Sequence, residues 1–344
     1  MLLSMSEPAR ADLDACHALL RDGSKSFHAA SRLLPREVAR SAIALYAFCR
    51  VADDAIDRAG DAAALPELRA RLRRASEGRP YPLPTDRALA WVMARHGIPP
   101  ALPEALLEGF AWDAEGRSYA TLAELLAYAA RVAGSVGAMM ALVMGARAPE
   151  AVARACDLGI AMQLCNIARD VGEDARAGRL YLPRDWLREA GIDPDAWLAR
   201  PQFHPAIGDA VRRLLAEAEA LYARADAGIA LLPAACRPGV AAARLIYAGI
   251  GREVARQGGD SVARRAVVPP RRKLALLARS LAYALPAARP APSPPLAEAR
   301  FLVQAAAAPA PSPAARRRRG DIGARAAWVV DLFLRLQQTE QGRP

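Results

Sequence analysis

The 344 residues carry 47 basic and 36 acidic side chains, a formal charge of +11, and 53% of them are hydrophobic. That composition excludes a chain disordered throughout and fits one large or two ordinary globular domains. Five scattered cysteines (Cys16, Cys49, Cys156, Cys165, Cys236) exclude a disulfide scaffold, and these with four distant histidines argue against a zinc site of the usual spacing.

The charge is uneven. Residues 261–344 hold 15 basic and 4 acidic side chains, whereas residues 1–260 hold 32 of each. Only Lys25 and Lys273 are lysines; the other 45 basic residues are arginine, as codon usage favouring Arg and Ala would give.

In chain order, Met1–Arg10 lacks the basic-then-apolar pattern of a secretory signal, so the expectation is a cytoplasmic protein with reduced cysteines. Gly23-Ser24-Lys25-Ser26-Phe27 sets one of the two lysines between serines, either at a phosphate site or on an ordinary surface. Tyr46 to Asp57 predicts a helix on which Tyr46, Arg50, Asp53 or Asp54, and Asp57 share a face. Leu102, Leu106, Leu107 and Phe110 recur at helical spacing. Val132 to Ala146 is uncharged and apolar but short of the ~20 residues that cross a bilayer, so it predicts a buried helix. Gly134 and Gly137 on it serve either close approach of a ligand chain to the backbone or plain helix–helix packing. Asn166, Asp170 and Asp174 fall at i, i+4 and i+8 on another helix, flanked by Arg169 and Glu173.

Alternating strand patterns are almost absent, and Pro and Gly punctuate roughly ten helices up to about Ala288. The predicted fold class is all-α. Residues 1–285 form the predicted body and 286–344 a Pro/Ala/Arg-rich segment. That segment contains Arg316 to Arg319 and an amphipathic helix over Ile322–Gln338 with Trp328, Val329, Leu332 and Leu336 on one side.

The two acidic helices carry the chemistry. Carboxylates at i and i+4 repel one another and, when buried together, call for a cation. Oxygen donors without sulfur or imidazole suit Mg²⁺, which takes one or two protein carboxylates and keeps water or phosphate oxygens besides. Two such helices face to face would cage Mg²⁺ ions and a diphosphate. One motif alone reads as a solvated face laced with salt bridges. The pair, each following an apolar run (Ala42 to Leu45; Ile160 to Leu164) and each with an adjacent Arg, favours the metal–diphosphate site.

These stretches resemble the squalene/phytoene synthase family. The matching parts are Ser24-Lys25-Ser26-Phe27, Ala44 to Asp57, Tyr128 to Gly137, Gln163 to Pro183, and Arg244 to Lys273, within about Ala15 to Leu285. The resemblance implies an isoprenoid-synthase helical bundle around a central apolar cavity, and head-to-head condensation of two prenyl diphosphates. It implies Mg²⁺, or Mn²⁺, held by Asp53, Asp57, Asn166, Asp170 and Asp174. Ser24, Lys25, Ser26, Arg50, Arg169 and Arg264 would hold diphosphate oxygens. Tyr46, Tyr128 and Tyr247 would line the cavity near the reacting carbons, with Gln163 and Tyr181 as further candidates. The expected substrate is geranylgeranyl diphosphate and the expected product phytoene. Alternatives are a C30 product from farnesyl diphosphate, a chain-elongating or cyclising relative, and an inactive assembly factor. No nicotinamide signature is present, so no hydride cofactor is expected. Gly249 and Ala129-Ala130 depart from the family pattern and bear on cavity shape. The basic C-terminal segment has few interleaved aromatics and no nucleic-acid motif; a solvated tail or contact with an anionic membrane are the readings left for it.

Overall fold

The computed structural model describes residues 8–23, 28, 30–59, 64–285 and 293–307, and among them there is no β-strand. The helices are α1 (Arg10–Gly23), α2 (Arg36–Ala59), α3 (Leu65–Ser76), α4 (Pro84–His96), α5 (Ala101–Ala114), α6 (Leu122–Ala129), α7 (Ser135–Val143), α8 (Pro149–Arg176), α9 (Arg184–Glu189), α10 (Pro194–Ala199), α11 (Pro205–Ile229), α12 (Arg237–Arg256), α13 (Pro270–Ser280) and α14 (Arg300–Ala307). Local chemistry sets many of their ends. Proline occupies the first turn of α3, α4, α8, α11, α12 and α13, where its missing N–H costs nothing. Thr121 caps α6 by accepting the Glu124 N–H at 3.3 Å, while Glu124 accepts the Ala120 N–H at 2.7 Å.

Helix α8, 28 residues long, is the central post. It packs against α7, α11 and α12. Its contact with α7 is made by backbone. A Cβ on Gly137 would stand 2.1 Å from the Ala155 carbonyl oxygen, and one on Gly159 2.2 Å from that of Ala133. Gly134 faces Ile160 and Leu302 inside the core. Of the two roles open to Gly134 and Gly137, helix packing is the one both perform.

Helix α6 runs through a single π-helical turn, Ala130–Gly134, into α7. The combined helix Leu122–Val143 is long and apolar enough by length and composition to cross a membrane, and 56% of its most apolar window is buried in the bundle. From sequence the apolar stretch starts only at Val132, because Arg131 interrupts it. In the fold Arg131 pairs with Glu108 at 2.9 Å and lies 4.3 Å from the Trp112 ring, so the helix continues through it.

Residues 293–307 belong to the body. Ala299, Leu302, Val303 and Ala306 are buried in the same core as α6, α7 and α8. The predicted division at 285/286 therefore does not separate a detached tail from a core. Arg316 to Arg319 and the predicted helix Ile322–Gln338 lie outside the described residues.

Candidate active site

A cavity of about 300 Å³ lies between α2, α7, α8, α11 and α12. Its wall is mostly apolar, with Leu45, Val136, Met140, Met144, Leu158 and Met162 among the lining residues. Helix α8 contributes a continuous stripe: Ala151, Arg154, Ala155, Leu158, Gly159, Met162, Gln163 and Asn166. Apolar and small residues recur there every three or four positions, so one face of one helix lines the cavity from end to end. The fifteen steps from Ala151 to Asn166 span ~22 Å at 1.5 Å per residue. Tyr46, Cys49, Gln163, Asn166 and Tyr247 mark the rim, and Leu34, Ala151, Arg154, Leu232 and Gly239 the floor.

The acidic motifs stand one helical turn beyond the rim, Asp53 four residues after Cys49 and Asp170 four after Asn166. Arg50 lies 3.5 Å from Asp53 and 2.7 Å from Asp54. Asp57 follows on the last turn of α2, and its side chain lies outside the described residues, as do Ser24, Lys25 and Ser26. Helix α1 nevertheless leads to this place. A Cβ on Gly23, its last residue, would stand 2.4 Å from the Tyr46 hydroxyl and 3.5 Å from Arg50 Cδ.

On α8, Asp170 accepts from Arg169 Nε at 2.7 Å, from Arg169 Nη2, and from Arg265 Nε at 2.8 Å. Arg265 also reaches Glu173 at 3.4 Å. Sequence singles out Arg264; in the structure Arg264 is exposed and its neighbour meets the motif. The register is set where the segment after α12 crosses α8. Gly172 donates its N–H to the Ser261 carbonyl at 3.0 Å, and a Cβ there would stand 2.2 Å from the Val262 carbonyl oxygen. Three residues on from Val262, Arg265 meets Asp170.

Asp174 is partly buried. Burial first, then the neighbouring Asp170 carboxylate, push its carboxyl up to about 7, with Arg179 opposing. Burial likewise raises the Tyr46 hydroxyl, against the pull of Arg50.

Tyr46 and Tyr247 border the cavity. Tyr128, expected beside them, does not: it is 3% exposed and lies outside the lining. Its hydroxyl donates to Asp113 at 2.8 Å, and that of Tyr181 donates to the other Asp113 oxygen at 2.6 Å. The rings of Tyr119, Tyr128 and Tyr181 stack at 5.2 to 6.2 Å between centroids. Helical phase explains the correction, because the face of α6 that carries Tyr128 turns toward α5. Asp113, the hub of this cluster, was not legible as a site residue, because no second acid lies three or four residues from it on its helix. Gly249 and Ala129-Ala130 also lie off the cavity lining, Gly249 facing Leu276 and Val268, so these departures do not shape its wall.

Among the described residues no three His, Cys, Asp or Glu side chains converge into a ready-made cage. A hard ion that keeps water and phosphate oxygens needs only one or two carboxylates. The raised carboxyl of Asp174 marks acids crowded in a desolvated place, which a cation would relieve. The described residues therefore fit Mg²⁺ bound together with an anionic substrate.

Known proteins resemble this chain in sequence and fold. A family model described as squalene/phytoene synthase matches residues 20–273. A phytoene synthase from Rhodobacter capsulatus is 57% identical over 276 residues, 79% of this chain and 81% of that protein. One from Cereibacter sphaeroides is 54% identical over 314 residues, 87% of this chain and 88% of that protein. The crystal structure of a dehydrosqualene synthase superposes with a TM-score of 0.73 at 34% identity, covering 80% of this chain and 96% of the other.

Proposed function

This chain belongs to the squalene/phytoene synthase family, and on that premise we propose that it condenses two molecules of geranylgeranyl diphosphate head to head, through a cyclopropylcarbinyl diphosphate, to phytoene. The observation that carries the reading is the cavity: apolar along its length, floored at one end, and rimmed at the other by arginines and paired acids. Its ~22 Å stripe on α8 matches a C20 chain of four isoprene units, each extending ~5 Å when C–C bonds are ~1.5 Å. The high identity to phytoene synthases supports the same choice.

Asp53, Asp57, Asn166, Asp170 and Asp174 would hold Mg²⁺, or Mn²⁺ in its place. When bound, the ion neutralises diphosphate charge and so favours loss of the leaving group. Arg50, Arg169 and Arg265 bind the departing diphosphate oxygens. The apolar wall keeps water from the allylic cation left behind. Tyr46 and Tyr247 border the cavity, where a ring face presented to that charge contributes an attraction of ~0.5–2 kcal/mol each. The double bond of the second substrate attacks, a proton is lost and the cyclopropane forms. A second ionisation opens that ring, and loss of a further proton leaves the central triene without a hydride donor.

The likeness to a dehydrosqualene synthase favours one second reading, a C30 product from farnesyl diphosphate. Purified protein supplied with Mg²⁺ and each diphosphate in turn decides by product mass. A C40 hydrocarbon from geranylgeranyl diphosphate is expected; a C30 product alone would overturn the reading.

The C40 product must leave into a bilayer, so we also propose that this enzyme is cytoplasmic and contacts anionic membrane through residues 308–344, which carry 7 basic and 3 acidic side chains. Sedimentation with anionic vesicles should fall on truncation after Ala307, and equal binding by both forms would refute the contact.

A further inference from the structure

The floor of the cavity is held by a buried ionic cluster. Asp157 is 0% exposed and Arg154 3% exposed. Asp157 Oδ2 lies 3.0 Å from Arg154 Nε on the same helix and accepts from Arg224 Nε of α11 at 3.0 Å. Both guanidiniums then reach out to one backbone atom. Arg154 Nη2 donates to the Pro294 carbonyl oxygen at 2.9 Å and Arg224 Nη2 at 2.8 Å. Arg224 Nη1 adds a contact to Ser293 Oγ at 3.4 Å. The Arg154 stem has no slack, since a Cβ on Gly228 would stand 2.1 Å from Arg154 Cβ.

On the other side of this cluster is a second, open cavity of about 480 Å³, lined by Pro149, Glu150, Ala153, Pro294 and Val303 among others. Ala151 and Arg154 face the first cavity, Glu150 and Ala153 the second. The first turns of α8 line both, and the clasp ties Arg154 in the wall of the first to Pro294 in the wall of the second.

We propose that the Arg154–Asp157–Arg224 clasp on Pro294 is a partition that fixes the longest prenyl chain the cavity accepts. The inference rests on the prenyl diphosphate reading above. Two arginines and one aspartate, spread over α8 and α11 and joined to Pro294, hold residues 293–307 against the base of α8, and the Arg154 stem closes the end of the apolar stripe. Loosening the clasp joins the two cavities, and a chain one isoprene longer then has somewhere to lie.

The test uses the full chain with Mg²⁺ and an equimolar mixture of C15, C20 and C25 prenyl diphosphates, read as product masses. The double variant Arg154→Ala with Asp157→Asn keeps the net charge of the cluster and shortens the floor side chain. It is expected to raise the use of C25 relative to C20 by about tenfold over the wild type, with a cooperative thermal melt retained. An unchanged ratio in the folded variant overturns the partition. Should the double variant not fold, Arg224→Met decides instead, because it leaves the Arg154–Asp157 pair in place; a shift of about threefold supports the proposal and none overturns it. A wild type that turns over C20 while the variants keep its ratio sinks the partition alone, whereas a wild type inert toward every chain length sinks the functional reading with it.

Discussion

The rim and the floor of the cavity are built from the same two residue types, Arg and Asp, and do opposite things. At the rim, Arg50, Arg169 and Arg265 are outnumbered by Asp53, Asp54, Asp170, Glu173 and Asp174, and most of these groups keep some contact with solvent. At the floor, two arginines share one fully buried Asp157 and end on a backbone carbonyl. Partly exposed ion pairs hold one another weakly, so the rim can exchange partners when a cation or diphosphate arrives. A buried, hydrogen-bonded cluster is strongly destabilised when one member is removed, so the floor stays fixed. Charge alone does not mark a binding site; accessible charge with an excess of one sign does.

The contrast can be broken most sharply at the rim. Asp170→Asn and Asp53→Asn should each lower kcat by about 10³-fold, as loss of a group stabilising developing charge does. Their melting temperatures should stay within a few degrees of the wild type, and near-normal turnover in either would make the rim as structural as the floor. At the floor the effect should appear in stability. Asp157→Ala leaves two arginines without their acid and should cost about 3–5 kcal/mol in urea unfolding. A smaller effect separates neighbours. Losing one charge-assisted hydrogen bond, about 1.5–3 kcal/mol, should raise KM for the prenyl diphosphate at least tenfold in Arg265→Ala, while Arg264→Ala should leave it nearly unchanged.

A last expected effect is on pH dependence. The Asp174 carboxyl sits at about 7 in the folded chain against an ordinary value of 3.8. Between those values the unfolded chain gives up this proton while the folded one keeps it, so stability falls as pH rises through the window and levels off above about 7. Thermal melts of the wild type should show that fall relative to Asp174→Asn, and added Mg²⁺ should recover more of it at pH 8 than at pH 6. Parallel curves for the two proteins would mean that the acids at Asp174 are already compensated.

Much of the rim was legible because its information is local. Asp and Asn repeat every four residues on helices whose other faces are apolar, and that pattern survives without coordinates. Residues whose roles depend on distant segments were not legible. Arg265 rather than Arg264 meets Asp170 because Gly172 lets the returning chain touch α8 at Val262. Arg154 and Asp157, three residues apart, read like any surface pair until α11 and Pro294 cover them. Tyr128 carries a family motif, yet the phase of α6 turns it to Asp113. Residues 286–344 read as a Pro/Ala/Arg-rich segment following the body, yet Ala299, Leu302, Val303 and Ala306 within it are packed into the core.

The backbone contact between α7 and α8 also constrains how such a protein can diversify. Ala133, Gly137, Ala155 and Gly159 all border the cavity, and their main chains already touch. A wall made of main chain offers selection nothing to enlarge or trim, since any larger side chain at Gly137 or Gly159 would pry the two helices apart. Heritable changes in substrate preference must therefore accumulate on the side chains around this contact, on α2, α11 and α12 and on the other lining positions of α7 and α8, while Gly137 and Gly159 are inherited unchanged.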